Sequence, residues 1–159
     1  MKERARGSLP AQSEPRALQA PSCAWKLNPV ERLLLFIHTL GIRELGRAGE
    51  TAARWFLRRR GLVPVSRNWR GRNGELDLVC VDRRNRLVMV EVKTSLRADS
   101  AWEHFDAAKR RCLLLTARDY LRAHRLAPDQ PWRLDLVVVT GDPRSLKSPL
   151  RFAWIRNAL

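Results

Sequence analysis

The sequence predicts an α/β domain with a mixed sheet, its elements in the order α-β-β-β-α-β. Three observations carry this: a helix-period pattern from Leu45, two adjacent apolar strands at Glu75–Val81 and Leu87–Lys93, and a second helical stretch followed by the long strand "WRLDLVVVT". At 159 residues the chain suits one domain of ordinary size, 44–159, behind a tail, 1–43.

The tail carries Pro10, Pro15, Pro21 and Pro29 and few apolar residues before Val30. It reads as a mostly disordered basic extension with a short helix from Glu31 to Leu40. A start-site artefact and an organelle transit peptide are alternatives for a segment so poor in acids. In the first long helix Leu45, Ala48, Gly49, Ala52, Phe56 and Leu57 recur at three- and four-residue steps, and Gly61 after "RRR" is its stop signal. Glu50 lies near the edge of that apolar stripe. "LVPVSRNWR" reads as an edge strand with Pro64 near its start. After the loop "SLRADSAWEHFD", Ala107 to His124 is helical, with Leu113, Leu114, Ala117, Tyr120 and Leu121 on the buried side; "RFAWIRNAL" can supply a last short strand.

The charge balance bounds the function. With 31 Lys+Arg against 16 Asp+Glu and a net charge of +15, the chain attracts polyanions, nucleic acid first and an anionic membrane surface second. An Arg-rich proteome would give the same charge without a partner. Cys23, Cys80 and Cys112 form no C-x-x-C and suggest a reducing compartment, hence a cytoplasmic protein without a disulfide framework or zinc site. His38, His104 and His124 lack metal-ligand spacing. "LLLFIHTLGI" has about half the length needed to span a bilayer, and no signal peptide is evident, so no membrane association is expected.

The two central strands hold the informative residues. A three-residue loop, Arg83-Arg84-Asn85, with Asn in the left-handed region, pairs Asp82 with Arg86. That register sets Asp77 opposite Glu91 and Glu75 opposite Lys93. Alternation puts Glu75, Asp77, Val79 and Val81 on one face with Leu87, Met89, Glu91 and Lys93, and leaves Leu76, Leu78 and Cys80 on an apolar face with Val88, Val90 and Val92. Opposed carboxylates about 4.5–5.5 Å apart are unfavourable. Lys93 or a bound divalent cation would offset them. Converging carboxylates suit Mg2+ or Mn2+, which activates water and stabilises phosphoryl charge, and a neighbouring ammonium adds to this. The chain has five lysines, so Lys where it otherwise uses Arg suggests a role that a planar, always charged fork would not fill. An ordinary solvated sheet with a Glu–Lys pair is the competing account.

"GELDLVCVDRRNRLVMVEVKTS" resembles the core motif of the PD-(D/E)xK, or restriction-endonuclease-like, superfamily, and the wider pattern resembles its small bacterial YraN-like branch of predicted endonucleases. The likeness runs through "LGRAGETAARWFLRRRGLVPVSRNWRGRNGELDLV", "MVEVKTS", "KRRCLLLTARDYL", "RLDLVVV" and the terminal "NAL". It implies a restriction-endonuclease-like core, a central mixed β-sheet flanked by helices. It also implies a catalytic set of Asp77 and Glu91 as metal-binding acids, Lys93 as catalytic lysine and Glu50 as a helical glutamate near the metal, with Glu75 a further motif acid. A homodimer placing two sites on branched DNA is implied by related resolvases. Ser95 stands where the branch usually has arginine, and Trp154 and Arg156 where histidine and proline are more usual.

Arg67, Arg70 and Arg72 before the motif, and Lys109, Arg110 and Arg111 at the start of the second long helix, are candidate phosphate contacts; a solvated charged face is the alternative for each. Trp69 can stack on an unpaired base but suits packing better, and Tyr120 and Trp132 are assigned to the core. The expected function is a metal-dependent endonuclease hydrolysing DNA, on branched or flapped substrates. A non-catalytic nucleic-acid-binding module on the same fold is the alternative, and a membrane-surface or assembly factor working through the tail is a third.

Overall fold

The computed structural model describes residues 28–39, 45–97, 105–127, 129–147 and 149–158. Most of the expected extension and the loop residues 98–104 lie outside them. The elements are α1 (Pro29–Thr39), α2 (Leu45–Arg58), β1 (Val63–Arg70), β2 (Glu75–Val81), β3 (Leu87–Ser95), α3 (Ala107–Ala123), β4 (Trp132–Thr140) and β5 (Arg151–Ile155). The helix α1 starts two residues before the expected Glu31. A reciprocal cap explains the start: the Glu31 amide donates to Asn28 Oδ1 and the Asn28 amide to Glu31 Oε2, each at 2.9 Å, with Pro29 in the first turn. The Arg59 guanidinium pairs with the Glu31 carboxylate and ties α1 to the end of α2.

Five strands form one mixed sheet in chain order, β1-β2-β3-β4-β5. Only β3 and β4 are parallel, which requires a crossover, and α3 is that crossover. "RFAWI" is the last strand, antiparallel to β4, and β1 is an edge as its Pro64 predicts. Both faces are covered. Under α2 lie Leu78, Cys80, Val88, Val90, Val137 and Val139 with Ala52, Phe56 and Leu57. Under α3 lie Leu76, Val79, Met89, Leu134, Leu136 and Val138 with Leu113, Ala117 and Tyr120. Leu114, expected on the buried side of α3, is only half-buried, and Thr116 is buried instead with its hydroxyl donating to the Cys112 carbonyl. Trp69 packs edge-on against Tyr120 with ring centroids 5.1 Å apart, and Trp132 packs half-buried on the α3-side core.

Gly49 brings the α2 backbone hard against β3. A Cβ at this position would stand 1.7 Å from Thr94 Oγ1 and 2.7 Å from Thr94 Cβ, so a side chain fits only if helix and strand part. In a free helix, Gly→Ala gains about 1 kcal/mol. Here overpacking, about 1–3 kcal/mol, outweighs it. Gly49→Ala is therefore expected to lower Tm by several degrees in a thermal melt; an unchanged or raised Tm would show that α2 can slide off Thr94 freely.

Candidate functional site

The β2–β3 turn has the expected geometry. Asn85 adopts φ 57, the Asp82 amide donates to the Arg86 carbonyl at 3.0 Å, and the Asn85 amide to the Asp82 carbonyl at 2.9 Å. The ladder pairs Val81 with Leu87 and Leu78 with Val90, the register read from the sequence. It then stops one pair short of the acids. Where the Val92 amide would next bond across to the backbone of β2, Asp77 Oδ2 takes it at 2.7 Å. The expected cross-strand pair Glu75–Lys93 does not form; Glu75 faces Arg70 of β1 and pairs with its Nε at 3.0 Å.

A change of face at Asp77 causes this. Leu78 and Cys80 lie under α2 as expected, but Leu76 lies under α3. The partner strand turns over at the same rung: Arg67 pairs with Leu78 and Trp69 with Leu76, and Asn68 between them has φ 47. Asn tolerates the left-handed region better than most residues, so β1 and β2 can reverse alternation together while keeping register. Asp77 is thereby released from the regular ladder.

Glu91 is almost fully buried, 2 % exposed, on the α3 face beside Leu136. Its Oε1 receives Lys93 Nζ at 2.7 Å and Lys109 Nζ, from α3, at 3.0 Å. Its Oε2 is buried and has no hydrogen-bond partner among the described residues. Burial, reinforced by the Glu91 charge, pushes the Asp77 carboxyl up to about 7 against the pull of the Val92 amide. Burial works against the charge of Lys109, yet its hydrogen bond to Glu91 and the Glu91 and Asp77 charges hold its pKa above the ordinary value. Glu50 reaches toward the same region from α2: burial raises its pKa, the Asn68 side chain bonds to it and lowers it, and Glu75 and Glu91 raise it further.

Among the described residues no three acids, histidines or cysteines converge as a ready metal cage. Glu50 stands beside the acid pair and does not complete a triad with it. The donor set of Asp77 and Glu91 nevertheless fits a small hard cation, which takes one or two protein carboxylates and fills its other positions with water and phosphate oxygens. The partnerless Glu91 Oε2 and the reluctance of Asp77 to ionise are what such an ion would relieve.

The model of the uncharacterised protein family UPF0102 matches residues 49–139, more than half of the chain. A UPF0102 protein of Pseudomonas aeruginosa is 42% identical over 120 residues, 73% of this chain and 92% of the relative. The chain belongs to the UPF0102 family. A UPF0102 protein of Ectopseudomonas mendocina is 40% identical over 119 residues, covering 72% of this chain and 93% of its own. One of Chloroflexus aurantiacus is 42% identical over 100 residues, covering 62% and 81%. The UPF0102 match includes the whole acid–lysine cluster, from Glu50 to Lys109.

The candidate phosphate contacts are distributed unevenly over this UPF0102 domain. Arg67 and Arg70 are exposed on β1, Arg72 is exposed in the β1–β2 turn, Arg110 lies over the Phe105 ring at 5.3 Å, and Arg111 is exposed on α3. Lys109, of the same group, pairs with Glu91 Oε1 at 3.0 Å. Sequence reasoning missed its place because α3 and β3 meet only in three dimensions; a Lys in an otherwise Arg-rich chain was the available signal. Asn68 was missed as well, although an Asn inside a strand pattern is itself a sign of a left-handed residue. Among the described residues no helix is long and apolar enough to cross a membrane.

Proposed function

We propose that this UPF0102 chain is a Mg2+- or Mn2+-dependent endonuclease of the PD-(D/E)xK kind, hydrolysing DNA phosphodiester bonds. The observation that carries the reading is Asp77 beside Glu91, itself paired with Lys93, where the β2–β3 ladder ends, with a buried Glu91 oxygen that has no hydrogen-bond partner among the described residues. Asp77 and Glu91 would hold the ion, with Glu50 positioned to act on its surroundings through water. Bound there, Mg2+ or Mn2+ supplies Lewis-acid charge at the phosphoryl group.

The chain's own residues do the rest. Lys93, held by Glu91 Oε1, presents an ammonium beside the acids, suited to steady the charge that grows on the scissile phosphate. Lys109, kept protonated by Glu91 and Asp77, doubles that positive charge from the α3 side and fixes the Glu91 carboxylate. The Val92 amide orients Asp77. The surrounding arginines hold the backbone of the nucleic acid without reading bases.

The test is cleavage of duplex, single-stranded, flap and four-way-junction DNA with Mg2+, Mn2+ or a chelator. Cleavage is expected only with metal, and Lys93→Met, in a preparation whose melting curve shows it folded, is expected to reduce its rate by about 10²–10³. A pure, folded preparation that cuts none of these substrates with either metal would remove the enzymatic reading.

A further inference from the structure

The helix α2 and the edge strand β1 enclose a groove that the acid–lysine cluster does not account for. Its inner part, about 360 Å³, is lined by Arg47, Glu50, Arg54, Arg67 and Asn68 with Leu78 as floor. It continues into a second depression of about 550 Å³ between Arg54, Arg58 and the β1 residues Val63 to Arg67. We propose that this groove is the track for one nucleic-acid strand, gripped through its phosphates by Arg47, Arg54, Arg58 and Arg67 and led past Glu50 toward Asp77. The inference rests on the nuclease reading for its direction and on the groove's own chemistry for its ligand.

Three features support it. Arg47, Arg54 and Arg58 are spaced by seven and four residues, which puts them on one face of α2. They cover about 16 Å of helix length, or about five nucleotides of one strand along a duplex axis. Among the described residues no carboxylate makes an ion pair with Arg54, Arg58 or Arg67, and burial together with the Arg67 and Arg58 charges disfavours the Arg54 cation. A fold gathers like charges in a concavity at a cost, and a polyanion relieves that cost along its whole length. The outer rim is apolar, with Val63 63 % and Val65 53 % exposed, which suits sugars and base faces rather than a second layer of phosphate. A concave, arginine-lined groove also suits a linear polyanion better than a flat lipid surface does.

The experiment is binding of labelled duplex and single-stranded DNA by the full chain, with chelator present so that nothing is cut, over a range of salt concentrations. For the double variant Arg54→Ala with Arg58→Ala, the slope of log affinity against log salt is expected to fall by about two, roughly 0.9 for each phosphate no longer neutralised. A charge-matched control, Arg118→Ala on α3 with Arg151→Ala on β5, should leave the slope unchanged, and melting curves verify that both variants are folded. Equal losses in the two variants, or an unchanged slope in the groove variant, would overturn the inference. So would a groove variant that loses binding to phosphatidylserine vesicles while keeping its DNA affinity.

The two readings fail separately. If the groove variant loses DNA while the parent cuts nothing, the track stands and hydrolysis falls. If the parent cuts and the groove variant binds and cuts as well as it does, the track falls and hydrolysis stands.

Discussion

Asp77→Asn is expected to cost at least about a thousandfold in metal-dependent cleavage and, in the same protein without metal, to raise stability. The two effects have one origin. Burial and the neighbouring Glu91 charge make an ionised Asp77 unfavourable, so its carboxyl titrates near 7 in the folded chain against an ordinary value of 3.8. Between those values the folded state binds the additional proton, and stability falls as pH rises. The wild-type protein should therefore lose stability from about pH 4 to about pH 7 and stay at the lower level above that. Asparagine keeps an oxygen for the Val92 amide and removes the charge. With chelator at pH 8 the variant should melt several degrees higher, on the order of 2–4 kcal/mol, and the two curves should converge near pH 4. Mg2+ or Mn2+ should raise the Tm of the parent and leave the variant nearly unmoved. A variant melting below the parent at pH 8 would show the carboxylate to be stabilising. Full cleavage by the variant would take Asp77 out of the chemistry.

The second large effect is structural. Asp135 of β4 is fully buried on the α2 face of the sheet, opposite the face Glu91 uses. Its carboxylate accepts Arg133 Nε at 2.9 and 3.2 Å, Trp154 Nε1 at 2.9 Å and the Asn157 amide at 3.1 Å. Arg133 in turn reaches Asp82 at 3.3 Å, and Asp82 also holds Arg86 at 2.8 Å, so one network joins the hairpin turn, β4 and the end of β5. Arg156 lies over the Trp154 ring at 4.1 Å and closes it on the outside. Asp135→Ala strands a largely buried guanidinium and an indole donor together. The expected loss is about 3–5 kcal/mol, a large share of the total for a domain of this size. Asp135→Asn keeps acceptors in place and should lose less, about 1–3 kcal/mol. Urea denaturation of both variants measures this; a loss under about 1 kcal/mol for alanine would mean water replaces the carboxylate without penalty.

Much of the architecture was legible because its signals are local. The periodicity of α2 and α3, the left-handed Asn85 and the apolar runs of β2 and β3 each act within a few residues, and the mixed sheet followed from their order. The register of the hairpin was right wherever strand alternation held. It misled at Leu76 and Glu75 because Asn68 of a different strand turns both strands over at the Asp77 rung. Asp77, Glu91 and Lys93 could be read as neighbours because they share one hairpin. Lys109 meets Glu91, and the arginines of α2 face β1 across a groove, only through tertiary packing, and periodicity along one element carries no trace of that.

The open edge of the sheet has a further consequence. β1 offers backbone donors and acceptors to any passing strand, and its exposed Val63 and Val65 are adhesive. Pro64, the irregular pairing between Pro64 and Ser66, and the exposed Arg67 and Arg70 all blunt that edge. In a chain of net charge +15, copies meeting edge to edge repel one another. High salt or removal of these arginines would silence that repulsion and leave two valines to template a cross-chain sheet. Charge on β1 thus opposes strand pairing between copies at this edge, quite aside from anything it holds.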